Sequence, residues 1–257
     1  MTDLPPAPCI AYGDHPDQVA NLHLPSTAGK PWPCVVLLHG GFWRTGWDRT
    51  LMTPLAVDLA VRGLAVWNVE YRRVGQEGGG WPGTFEDVAA AIEYLACLDE
   101  VDTARVATCG HSAGGHLALW LAVRDRLPPR SPGEGPRVQP TLVVAQAGVC
   151  DLERASHDNL GRGAVADLLG GSPGEVPDRY AAASPSAFTP LGVPQLLIHG
   201  TEDVIVPVSQ SLLHASGDPE AEVVEVDGAD HFDVIDPAHD AWRLVARRLV
   251  EKLVETP

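Results

Sequence analysis

Long apolar runs are missing from this chain. Nowhere in its 257 residues do 18 uninterrupted apolar residues occur, so no segment reads as a membrane-spanning helix. The opening residues, MTDLPPAPC, hold no basic stretch followed by an apolar one, so no secretory leader is expected there. Basic residues are scarce: 18 Lys and Arg stand against 34 Asp and Glu, a net charge of -16. Such a surface does not release counterions from phosphates, which argues against a nucleic-acid partner. Cysteine is sparse too. Five residues, an odd number with no CxxC pair, read as buried thiols in a reducing compartment and not as staples or ligands. HExxH and Walker motifs are lacking, and GQEGGG does not open a helix from a strand, so neither metal nor cofactor is expected. These absences point to a cytoplasmic protein; a small-molecule substrate and a monomer or homodimer are expected.

What is present suits a large core. Hydrophobic residues make up 45% and charged residues 20%, ordinary globular proportions, and the length fits one α/β domain over 1-257. Short β-rich apolar runs alternate with helical periods. Strands are predicted at 34-40, 64-72, 105-112, 141-149, 194-200 and 221-228, with an antiparallel strand near QVANLHLP. Helices are predicted at 50-62, 84-98, 114-124, 207-216 and 238-254, the second opening on a capping-box-like pair, Thr84 and Asp87. The alternation implies a mostly parallel sheet with helices on both faces. In such a sheet every loop that follows a strand emerges at the carboxyl edge, where ligands bind. A long excursion at about 150-192 also follows a strand and is expected to form a small cap.

The carboxyl edge collects a specific chemistry. Gly110-His111-Ser112-Ala113-Gly114 fits GxSxG between a strand and a helix, the context of a nucleophile elbow. A serine hydroxyl needs a base, and the base needs an orienting acid. HGTEDVIVP places Asp203 just after one strand and GADHFDVID places His231 after the next, giving the chain order Ser, Asp, His. Glu202, Asp230, Asp233 and Asp151 compete for the acid's place. His111 and His116 flank the serine, yet neighbouring side chains diverge in a sharp turn, so both are assigned to packing. His39 and His199 end strands and are assigned to loop hydrogen bonds. HGGFW offers the backbone N–H groups of Gly41 and Phe42, with that of Ala113, as an oxyanion hole, Gly40 being the alternative to Phe42. Trp43, Trp81 and the 150-192 excursion are expected to shape the substrate pocket.

These motifs, from about residue 34 to the C-terminus, resemble the α/β-hydrolase superfamily. HGGFW, GHSAGGHLAL, EYRR…GGGWPGTFEDVAAAIEYL, HGTEDVIVP and DHF are similar to the esterase branch that holds hormone-sensitive-lipase-like carboxylesterases and kynurenine formamidases. The resemblance implies the α/β-hydrolase fold with its eight-stranded sheet, a Ser112/Asp203/His231 triad and no cofactor. Carboxylesterases of that branch usually carry HGGG and GDSAGG, whereas His39 to Trp43 matches the formamidase pattern HGGxW. The expected reaction is acyl transfer to Ser112 from a small carboxylic ester, with arylformamidase action on N-formylkynurenine and a non-catalytic binding role as alternatives. A base must be neutral to accept a proton, so activity is expected to fall below about pH 7.

Overall fold

The computed structural model describes residues 4–27 and 29–255. Its centre is one eight-stranded sheet. In chain order the strands are β1 (Cys9–Ala11), β2 (Val19–His23), β3 (Trp32–Leu38), β4 (Ala65–Val69), β5 (Val101–His111), β6 (Leu142–Gln146), β7 (Gln195–Gly200) and β8 (Ala221–Val226). They lie side by side as β1-β2-β4-β3-β5-β6-β7-β8. The first two pair antiparallel, β2 meeting β4 in that sense, and the rest are parallel. The strand expected near QVANLHLP is β2. The hairpin partner β1 was not read from the sequence, because three residues are too short for a period-2 pattern. Strand β5 starts four residues earlier than expected, through a register shift at Pro33/Cys34 on its neighbour.

The buried strands lack a polar face because both faces are covered. Successive β3 side chains point to opposite sides: Cys34, Val36 and Leu38 join one hydrophobic cluster, Val35 and Leu37 the other. Helices α2 (Gly83–Glu93) and α3 (Ala113–Leu121) cover the first face. Helices α1 (Thr53–Val61) and α8 (Asp240–Val250) cover the second. Between β6 and β7 the 150-192 excursion forms α4 (Leu152–His157), α5 (Ala164–Leu169) and α6 (Pro177–Ala183), and α7 (Ser209–Ser216) follows β7.

Large side chains fill these layers, and two of the buried indoles have their N–H groups paired. The indole N–H of Trp67 donates to the Ala91 carbonyl at 2.9 Å and that of Trp120 to the Ala182 carbonyl at 3.0 Å. Truncating either to alanine is expected to cost about 3–5 kcal/mol. One local expectation fails: Thr84 and Asp87 do not cap α2, whose cap position is Pro82, with no side-chain bond. Thr84 Oγ1 accepts from the Gly80 N–H and donates to the Arg72 carbonyl, while Asp87 is fully buried against the Arg72 guanidinium at 2.6 Å. A tertiary ion pair took the side chain that a local motif would have used.

Candidate active site

Ser112 sits where β5 turns into α3, with φ 55 and ψ −118. L-residues avoid this region, and such strain persists only where the surroundings impose it. They do so here through backbone bonds: Ser112 N–H donates to the Gln146 carbonyl on β6 at 2.8 Å, and its own carbonyl accepts from His116 N–H at 3.1 Å. The flanking glycines are steric requirements. A Cβ on Gly110 would lie 2.0 Å from the Gly114 oxygen, and one on Gly114 would lie 2.1 Å from the Leu38 oxygen. Ser112 occupies the cap position of α3, yet its side chain makes no capping bond, which removes the helix-cap explanation for this serine.

Strands β7 and β8 supply the partners. His231 Nδ1 donates to Asp203 Oδ2 at 2.6 Å, which leaves Nε2 of the neutral ring as the acceptor. Asp203 Oδ1 accepts the N–H groups of Ile205 and Val206, each at 2.8 Å. Burial alone would raise the pKa of Asp203, but hydrogen bonds from His199 and His231, together with the histidine charge, hold it well below the usual carboxylate range. Three of the competing acids are engaged elsewhere. Asp151 caps α4 by accepting from Arg154 N–H, and Asp230 and Asp233 accept backbone N–H groups within their own turn.

The other histidines serve structure, although one does so inside the site. His116 accepts from the Trp43 indole and donates to the Ala183 carbonyl, and burial pushes its pKa down to about 4. His199 donates to the Val206 carbonyl at 2.8 Å, holding the loop that carries Asp203. His111 donates Nε2–H to the backbone carbonyl of His231 at 2.8 Å. The sequence assigned this ring to packing, because a bond across 120 residues has no local signal.

The loop after β3 faces Ser112. Gly41, Phe42 and Trp43 have φ values of 111, 51 and 56, three left-handed residues in succession. Gly41 has no alternative residue: a Cβ there would lie 2.7 Å from Trp47 Cβ. Gly41 and Phe42 line one cavity of about 280 Å³ with His111, Ser112 and His231, and Ala113 begins α3 beside the serine. Trp47, Leu51, Ile205 and Phe232 complete its wall. The rings of Trp47 and Phe232 stack at 5.8 Å, and both are 40% exposed or more.

The two tryptophans expected in the pocket are not among these lining residues. The left-handed turn directs Trp43 into the core, where it is 1% exposed and bonded to His116. Trp81 stands edge-on to Phe85 and borders a separate groove with Pro128 and Arg179. Nor does the 150-192 segment line the cavity. It reaches the site indirectly: Gly161 packs on the Phe42 ring so closely that a Cβ would meet it at 2.6 Å. Arg44 reinforces this junction by donating to the Gly161 carbonyl at 2.7 Å and pairing with Asp167. Trp47 and Leu51 carried no motif; Ile205 lies in HGTEDVIVP and Phe232 in DHF, where only Asp203 and His231 carry a predicted role.

Among the described residues, no three or more His, Cys, Asp or Glu side chains are grouped to hold a metal ion, and no helix is long and apolar enough to cross a membrane.

This sheet order, with a serine at a strand-to-helix elbow and a histidine–aspartate pair at the same edge, defines an α/β-hydrolase. The chain belongs to the BD-FAE family, whose model matches residues 20–216. Esterase LipC of Mycobacterium tuberculosis is 30% identical over 250 residues, covering 89% of this chain. The chain spans only 60% of LipC's length. Among solved structures, a truncated carbohydrate esterase from gut microbiota superposes with a TM-score of 0.84 at 21% identity, covering 98% of this chain and 96% of that one. Thermogutta terrifontis esterase 2, phosphonylated by sarin, superposes at 0.77 with 23% identity, covering 99% and 96%. At those identities the likeness concerns the fold.

Proposed function

We propose that the protein is a serine carboxylesterase that cleaves small uncharged esters through an acyl-enzyme intermediate. One observation carries this reading: Ser112, on its strained elbow, and His231, bonded to Asp203, line the same apolar cavity. In this mechanism His231 Nε2 takes the Ser112 proton as Oγ attacks the carbonyl carbon. The oxyanion is met by N–H groups of Gly41, Phe42 and Ala113. His231 then protonates the leaving alcohol, and the same base activates water to release the acid. Asp203 keeps Nδ1 protonated and stabilises the imidazolium without taking the proton.

Cavity chemistry favours an ester over N-formylkynurenine. At about 280 Å³ the cavity is at the small end for ligand sites, which suits short acyl groups. Its wall holds no Asp, Glu, Lys or Arg, so an amino acid's ammonium and carboxylate would be desolvated without a counter-charge. The 150-192 segment, braced on Phe42, would act in this reading as a small cap that steadies the oxyanion loop. The test compares turnover of p-nitrophenyl acetate and butyrate with that of N-formylkynurenine, using Ser112→Ala as control. Ester hydrolysis with an acyl burst, lost in Ser112→Ala, is expected. Equal ester turnover by the variant would sink the nucleophile assignment, and preference for the formamide would replace the ester reading.

A further inference from the structure

Beneath the loop that carries Gly41 and Phe42 lies a buried histidine–glutamate pair outside the triad. His39 and Glu70 are 0% and 1% exposed, with Nε2 3.0 Å from Oε1. The other ring nitrogen, Nδ1, is 2.8 Å from the Gly40 carbonyl oxygen. Both partners are acceptors. A carbonyl oxygen carries no proton, and Glu70 is held as a carboxylate: Oε2 accepts from the Arg49 N–H at 3.0 Å, with the Arg49 and Arg73 guanidinium groups 3.6 and 3.4 Å from its oxygens. Burial alone would raise the pKa of Glu70, but the bond to His39, the Arg49 N–H and the Arg73 charge lower it. A neutral imidazole has one N–H and cannot donate to both oxygens. It would leave one nitrogen lone pair facing an oxygen lone pair in a buried site.

We infer that His39 is an imidazolium that locks the oxyanion loop, with Nε2–H bound to Glu70 and Nδ1–H bound to the Gly40 carbonyl. The consequence follows from the peptide plane. The Gly40–Gly41 bond is not among the cis bonds, and in a trans peptide the C=O and N–H point in opposite directions. Holding the Gly40 carbonyl on His39 therefore turns the Gly41 N–H away from His39, and Gly41 lines the cavity. A flipped unit would present an oxygen to the developing oxyanion. Because neither residue has a Cβ, sterics penalise such a flip little; the charged bond supplies the restraint, since a bond to an ionised donor is about twice as strong as a neutral one.

The surroundings suit a cation. Tyr71 stacks on the ring with centroids 4.3 Å apart and planes 6° from parallel, and its hydroxyl donates to the His39 carbonyl at 2.7 Å. The charged groups around the pair are Asp48, Arg49 and Arg73. His39 is thus a positioning residue acting through the Gly40–Gly41 peptide, a role that rests on the serine-esterase reading above.

The test has two readouts. Nitrogen–proton correlation spectra of histidine-labelled wild-type protein, assigned with His39→Gln, are expected to show both His39 ring N–H groups at the pH of maximal turnover. A single ring proton there overturns the lock. In kinetics with p-nitrophenyl acetate, Glu70→Gln keeps an acceptor oxygen but removes the charge. It is expected to move the alkaline fall in kcat to lower pH with KM within about twofold, while His39→Gln lowers kcat by about 10²- to 10³-fold, as loss of an oxyanion donor does. A Glu70→Gln profile superimposable on wild type overturns the proposal. Should Glu70→Gln fail to fold, the wild-type spectra decide alone. Absence of ester turnover by the wild type would count against the functional reading, whereas the ring protons still report on His39.

Discussion

The His111 ring lies 4.5 Å from that of His231, centroid to centroid, and donates Nε2–H to the His231 backbone carbonyl. Burial, with the neighbouring His231 charge, pushes the His111 pKa down to about 3, so the ring stays neutral and has one proton to give. Its Nδ1 has no hydrogen-bond partner among the described residues and faces Gly40, where an added Cβ would lie 2.9 Å away. One side chain thus touches the nucleophile's strand, the base's loop and the oxyanion loop.

Replacing His111 with Phe keeps the ring and removes the donor. A lost neutral hydrogen bond that leaves a buried acceptor unpaired costs about 1–3 kcal/mol. The expected result in steady-state ester hydrolysis is a fall in kcat of about 10-fold or more with KM little changed. Unaltered kcat would show that the His231 loop holds its place without this bond.

Asp203→Asn should be far more damaging than the same change at the nearby acids. An amide at this position can donate to His231 Nδ1 and stabilise the wrong tautomer, an effect worth roughly 10⁴-fold in kcat for triads of this kind. Asp230→Asn and Asp233→Asn lose only turn bonds to backbone N–H groups, and turnover within about threefold of wild type is expected. A larger loss at Asp230 than at Asp203 would reassign the acid.

Acid should unfold the protein through its buried histidines. Burial lowers the folded-state pKa of His116 and His214 to about 4, against an ordinary value of 6.5. As pH falls below about 6.5 the unfolded chain binds protons that the native state refuses, so stability is lost from there down to about pH 4. Each such group contributes a slope of up to about 1.4 kcal/mol per pH unit. The urea midpoint should therefore drop between pH 7.5 and 5. His116→Gln can still accept from Trp43 and donate to Ala183, and should flatten that dependence; an identical pH slope in the variant would exclude His116 as a source.

Much of the fold was legible because its signals are local. Runs such as CVVLLHG and PQLLIHG are apolar on both faces, which only a covered parallel strand explains. GxSxG between strand and helix located the elbow, since its glycines answer to contacts within the motif and the adjoining strand. What failed had a non-local cause. Thr84 and Asp87 formed a plausible cap until Arg72, 15 residues before Asp87, claimed the carboxylate. Trp43 looked like a pocket residue because it ends HGGFW, yet a positive φ turns it inward.

The sequence by itself determined the sheet, the edge on which loops gather, and the residue types of the proposed triad, because strand–helix alternation forces successive loops to one side. Only the tertiary structure decided which side chains form the cavity wall and which histidines touch the site. Trp47, Leu51, Ile205 and Phe232 come from three separate loops, and His111 meets His231 across 120 positions. Contacts of that kind are set by packing and the bond directions of a closed core, which residue type and spacing do not encode.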